Sequence, residues 1–177
     1  MVKITISGHP GSGTSTLVSG LCNHFNWDSL NGGEIFRQEA ANNSMGLEEF
    51  GELCATDDSV DKRLDDILRN EICNHDGPEI VESRLSGWWA YMEKVDCVRI
   101  WLSVDAKSRA ERVVSREGIS FDEALVANRE RVQRDLTRYS ELYGINPEDV
   151  TPYTHVIDAS NVGIGDLIDK VVGILGD

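Results

Sequence analysis

Residues Val2–Ser7 (VKITIS) make a short β-branched run, and Gly8–Gly13 follow at once with glycines at 8, 11 and 13. Thr14–Phe25 then repeats apolar residues at helical spacing, with Leu17, Val18, Leu21 and Cys22 on one side. No other feature restricts the fold so strongly. A buried strand, a glycine turn and a helix, in that order, direct several backbone N–H groups and the positive helix end at one point in space. The stretch GHPGSGTST, Gly8 to Thr16, follows the phosphate-loop pattern G-x-x-x-x-G-K-[ST], except that Thr14 stands in the lysine position. Ser15 takes the hydroxyl position that reaches Mg²⁺ in such loops. Three readings are open here: a nucleotide site that draws its charge from elsewhere, a site that has lost its chemistry, or a turn that only joins a strand to a helix.

Further strand-like runs are Glu79–Glu82 (EIVE), Cys97–Val104 (CVRIWLSV) and His155–Ala159 (HVIDA), with a weaker one at Trp27–Leu30. Helical patterns come between them. Glu34–Cys73 is an acidic helical region, Phe121–Tyr143 a long helix, and Ile164–Leu175 a last amphipathic helix. Alternating strands and helices imply an α/β fold with a parallel sheet covered on both faces. The 177 residues contain no repeat, low-complexity tract or linker, so residues 1–177 are expected to be one domain.

The net charge of −14 works against binding along a nucleic acid backbone or an anionic lipid surface. No apolar run approaches the roughly 18 residues of a membrane span, and the first apolar run has no basic leader, so a cytoplasmic protein is expected. Cys22, Cys54, Cys73 and Cys97 form no C-x-x-C pair and read as reduced thiols rather than metal ligands. Only five of 17 basic residues are lysines, a composition suited to concentrated salt, with an acidic protein of an ordinary cytosol as the other reading.

If triphosphates are handled here, the charge missing at Thr14 must come from other cations, and 12 arginines are available. Arg109, Arg112 and Arg116 follow the run CVRIWLSV, and the last two share a helix face. Arg131, Asp135 and Arg138 lie at i, i+4 and i+7 on the long helix. Between the two groups, EGISFDEAL is a polar connection able to act as a flap. Arg37 closes NGGEIFR, and Arg84 closes EIVESR at the carboxyl end of a strand, the edge where ligands bind in an open α/β sheet. Glu82, in the same stretch, is a candidate to meet Mg²⁺ through water. Guanidinium forks match phosphate oxygens well. No histidine stands out as a base.

The segments ITISGHPGSGTSTL, GGEIFRQEA, MGLEEF, VDKRLDD, IVESRL, IWLSVDAKSRAERVVSREG and RYSELYGI run in order through nearly the whole chain. Together they resemble the nucleoside monophosphate kinases, most closely the short archaeal-type cytidylate kinases, whose phosphate loop commonly carries threonine in the lysine position. The resemblance implies a P-loop NTPase fold of three layers, α/β/α, with a five-stranded parallel sheet. It also implies a small helical NMP-binding region near residues 31–74 and a lid near 112–138. It implies transfer from ATP, with Mg²⁺, to CMP and dCMP by a monomer that binds only small-molecule nucleotides.

Carried over by position, Gly8, His9, Pro10, Gly11, Ser12, Gly13, Thr14, Ser15 and Thr16 would hold ATP, with Ser15 and Glu82 toward the metal. Gly33, Phe36, Arg37, Arg63, Arg84, Arg131, Asp135 and Arg138 would bind CMP, and Arg84, Arg112, Arg116 and Arg131 would act on the transferring group. Two departures from the family pattern are Asn31-Gly32-Gly33 and Ser83-Arg84-Leu85. Leu85 cannot hydrogen-bond a base, so cytosine is expected to be read by Arg63 with Asp61 or Asp65. The alternatives are an adenylate or other nucleoside monophosphate kinase, and a non-catalytic relative that binds nucleotide as an interaction module. A GTP switch would need an N-K-x-D segment, which the chain lacks.

Overall fold

A computed structural model describes residues 1–176. Its elements are β1 (Ile4–Gly8), α1 (Thr14–Phe25), β2 (Ser29–Asn31), α2 (Gly32–Asn42), α3 (Leu47–Thr56), α4 (Asp58–Cys73), β3 (Ile80–Glu82), α5 (Ser86–Met92), β4 (Val98–Ser103), α6 (Ala106–Glu117), α7 (Phe121–Tyr143), β5 (His155–Asp158) and α8 (Ile164–Leu175). The strands form one sheet in the order β2-β3-β1-β4-β5, and every pairing is parallel.

Alternation along β1 assigns the two faces. Ile4 and Ile6 join Leu17, Val18 and Leu21 of α1 and Leu167 and Val171 of α8 in one core. On the other face Val81, Leu85, Trp89, Tyr139 and Ile145 pack with the helices α2 to α5. Each fully buried side chain of this size stabilises the fold by about 1.5–3 kcal/mol relative to exposure. A smaller cluster, Ala110, Val113 and Ala124, joins α6 to α7 as a hairpin. This is the three-layer α/β/α arrangement with five parallel strands.

Local chemistry explains most boundaries. Asn26 at φ 54° ends α1, and Trp27 stacks on Phe25 with ring centroids 4.2 Å apart, so β2 begins at Ser29 rather than at Trp27. The acidic region divides into three helices because Ser44 turns the chain at φ 55° and Asp57 caps α4 by accepting from the Ser59 N–H. A reciprocal capping box between Ser120 and Glu123 starts α7, and Gly144 ends it at φ 66°.

Candidate active site

From β1 the chain crosses to β2 on one side, and from β3 it crosses to β4 on the other, so the connections leave these neighbouring strands in opposite directions and open a crevice at their carboxyl ends. The glycine loop lies there. Gly11 and Gly13 both have φ +83°, which an L side chain rarely adopts, and a Cβ on Gly11 would come 3.0 Å from the Arg109 carbonyl. The Ser12 N–H donates to the His9 carbonyl at 3.1 Å, and Gly13 starts α1, whose positive end faces the crevice.

Thr14, in the lysine position, is buried and donates its hydroxyl to Glu82 Oε1 at 2.6 Å. Ser15 Oγ donates to Glu82 Oε2 at 3.2 Å. Glu82 ends β3 in register with Ile6, which brings its carboxylate under the loop. Two hydroxyls and a carboxylate are hard oxygen donors of the kind Mg²⁺ takes alongside phosphate and water, so these residues fit that ion.

A cleft of about 810 Å³ opens in front of the loop. Six arginines line it: Arg37 from α2, Arg84 from the turn after β3, Arg112 and Arg116 from α6, and Arg131 and Arg138 from α7. Arg84 donates from Nε to Asp135 at 2.8 Å and from Nη1 to the Gly8 carbonyl at 3.2 Å. Arg112 donates to the carbonyls of Ser12 at 2.7 Å and Ala159 at 2.6 Å. Arg116 pairs with Glu117. Arg138 lies 2.8 Å from Asp61 as an ion pair and sits over the Tyr139 ring at 4.8 Å. Arg37 and Arg131 make no salt bridge with a described residue.

Away from the loop the cleft meets two carboxylates, Asp61 and Asp65, each 4% exposed. Tyr143 donates its hydroxyl to Asp65 at 2.9 Å, whereas Asp61 faces Arg138 and the Cys54 thiol. Burial pushes Asp65 up to about 6, against the pull of Arg138. Burial raises Asp61 as well, again opposed by Arg138. Behind the loop, burial lowers the His9 imidazole and Arg109 lowers it further, while Glu148, 3.1 Å away, pulls the other way.

Residues 7–124 match the sequence model of the AAA domain family. The chain is 39% identical over 159 residues to the cytidylate kinase of Pyrococcus abyssi, covering 89% of this chain and 84% of that protein. Identity to the cytidylate kinase of Halobacterium salinarum is 37% over 169 residues, covering 96% and 86%. The chain belongs to the cytidylate kinase family. Among solved structures, an uncharacterized protein from Eubacterium ventriosum aligns over 99% of this chain and 98% of its own, with TM-score 0.75 and 15% identity. Shikimate kinase from Bacteroides thetaiotaomicron aligns over 98% of both chains with TM-score 0.62 and 13% identity, a likeness of fold alone.

In this member of the cytidylate kinase family, most of the residues expected at a site share the one cleft. His9, Pro10, Gly11, Gly13, Thr14, Ser15 and Thr16 line its loop end, and Gly33 and Phe36 join Arg37 opposite. Gly8 and Ser12 stand behind the lining, Gly8 as the last residue of β1 and Ser12 as a buried turn residue.

Arg63 requires a correction. It pairs with Glu39 at 2.9 Å and does not line the cleft. Asp61, Leu64, Asp65 and Leu68 form the inner face of α4, and Arg63 is rotated about 200° from Asp61 around that helix. Its neighbours Asp61 and Asp65 are in the cleft, and Leu85 is in the core. Sequence reasoning did not single out Tyr139 as a cleft residue or Arg109 as a partner of the loop. Only the fourfold spacing of Tyr139 and Tyr143 hinted that a helix face with hydroxyls turns inward.

Proposed function

We propose that the chain transfers the γ-phosphoryl group of ATP to CMP, and to dCMP, giving ADP and CDP or dCDP. The observation that carries this reading is one cleft with an amide-lined anion loop at one end, two buried carboxylates at the other, and six arginines between them. Bringing two polyanions together is the main obstacle to such a transfer, and converging cations offset it. The acceptor needs no catalytic base. A nucleotide phosphate has a second pKa of about 6, so at neutral pH it is already a dianionic nucleophile.

The loop amides and the N-terminal end of α1 receive the donor phosphates. Ser15, with Glu82 through water, would hold Mg²⁺, which would neutralise charge on those phosphates. Arg37, Arg84 and Arg131 bind the acceptor phosphate, Asp135 and Arg138 face its sugar, and Arg112 and Arg116 stabilise the group in flight. The two carboxylates Asp61 and Asp65, both lining the far end of the cleft, support recognition of an exocyclic amino group. Cytosine carries such a donor on C4, where uracil presents a carbonyl that a carboxylate would repel. Closure of the α6–α7 hairpin excludes water and so guards against ATP hydrolysis.

Turnover of CMP, dCMP, UMP and AMP with Mg²⁺–ATP, read by ADP release beside thermal stabilisation, tests this reading. CMP is expected to exceed UMP and AMP in kcat/KM by at least about tenfold. Equal rates with AMP would reassign the base, and stabilisation by both nucleotides without turnover would leave a binding module.

A further inference from the structure

We propose that Arg109 is a positioning residue for the phosphate loop, holding its backbone from outside the cleft. This rests on the reading of the loop as a phosphate site given above. Three carbonyls of the loop, those of Gly8, Pro10 and Ser12, accept hydrogen bonds from three different guanidinium groups. Arg84 reaches Gly8 at 3.2 Å, Arg109 reaches Pro10 at 3.3 Å, and Arg112 reaches Ser12 at 2.7 Å. The spacing is every second residue. In a trans peptide unit the C=O of one residue and the N–H of the next point in opposite directions. Arg109 alone of the three lies off the cleft, so drawing the Pro10 carbonyl toward it turns the Gly11 amide to the opposite side, away from Arg109.

The three arginines differ in what else they touch. Arg84 and Arg112 line the cleft, within reach of an incoming phosphate, whereas Arg109 does not line it. When Arg84 and Arg112 turn to ligand oxygens, the Arg109 bond to Pro10 is the one of the three that persists. Its surroundings suit a fixed support. Arg109 Nε is buried, and both its Cβ and its carbonyl lie against Gly11, at 3.3 and 3.0 Å from where a Cβ would be. From α7, the Asn128 amide approaches the same point at 3.3 Å, and Asn128 is 3% exposed with neither polar atom hydrogen-bonded among the described residues. The two helices of the hairpin thus meet the loop at one glycine, so a change at Arg109 is transmitted to the donor end of the site.

The test compares wild type, Arg109→Leu, Arg109→Lys and Arg109→Gln. Binding of Mg²⁺–tripolyphosphate, a probe that has no base or sugar, is read by calorimetry, and KM for ATP and CMP are read separately. Arg109→Leu is expected to weaken tripolyphosphate binding about tenfold and to raise KM for ATP by a similar factor. KM for CMP should stay within about twofold. Arg109→Lys and Arg109→Gln, which keep an N–H donor, should recover part of the loss, and they carry the test if the leucine variant does not fold.

The loss should persist at about 1 M KCl, where the Debye length is only about 3 Å. A loss that vanishes in salt would mean that Arg109 acts through its field alone, and equal binding by wild type and variants would remove its role; either outcome overturns the proposal. A rise in both KM values together would show general damage and do the same. If wild type binds neither tripolyphosphate nor ATP, the phosphate-site reading fails and takes this assignment with it.

Discussion

Two arginines next to the phosphate loop, Arg109 and Arg112, lean on neutral backbone carbonyls, whereas Arg138 and Arg84 lean on carboxylates. Arg109 and Arg112 donate to Pro10, Ser12 and Ala159, while Arg138 is paired with Asp61 and Arg84 with Asp135. The two arrangements answer different demands. A guanidinium bound to a carbonyl keeps its full charge in the site, and releasing it strands only a neutral acceptor. A guanidinium bound to a buried or partly buried carboxylate is already neutralised, and releasing it leaves a charge uncompensated. The loop end is thus charged in advance for a donor phosphate, while the far end holds its cations in reserve until a ligand displaces an acid. In a chain of net charge −14, those acids also offset the mutual repulsion of six arginines in one cleft.

Arg84 touches both ends, through Gly8 and Asp135, so its loss should break the contrast most severely. Arg84→Ala is expected to lower kcat about a thousandfold with the fold retained, read by circular dichroism beside the assay. Near-normal turnover in the coupled assay would remove Arg84 from the chemistry.

A smaller effect comes from Asp65, whose burden is burial rather than catalysis. Its pKa rises from the usual 3.8 to about 6, so the folded state holds that proton more tightly than the unfolded chain does. Its contribution to stability is complete below about pH 4 and is lost as pH climbs through 6. Asp65→Asn, which cannot ionise, should therefore raise the melting temperature by about 4 °C at pH 8 and by little at pH 4. Equal shifts at both pH values would mean that Arg138 fully compensates the carboxylate, and burial would then cost Asp65 nothing at neutral pH.

The least effect is expected at Arg63, on the outer side of α4. Arg63→Ala should change KM for CMP by less than about threefold, since the loss is a half-exposed pair with Glu39. A tenfold rise would extend the acceptor end around that helix.

Much of this arrangement was legible without coordinates. The strand, glycine turn and helix, the bounds of α7, and the shared face of Arg131, Asp135 and Arg138 all follow from sterics and periodicity within a few turns of chain. What went unread has a common form. Arg63 sits beside Asp61 in sequence but on another side of the helix, and Arg109, left without a role beside Arg112 and Arg116, meets the loop away from the cleft. Charge type and helical period say which residues share a face, not which face meets the ligand.

The amino-acid sequence by itself determined the conformation of the loop, because glycines at 11 and 13 can adopt φ +83° where other residues rarely do, and it determined the apolar faces of α1 and α8. Only the tertiary structure decided which cation meets which acceptor. Gly8 and Arg84 are 76 residues apart, Pro10 and Arg109 are 99 apart, and His9 and Glu148 are 139 apart. Hydrogen bonds act over about 3 Å, so such partners are selected by strand order and helix packing rather than by any local pattern.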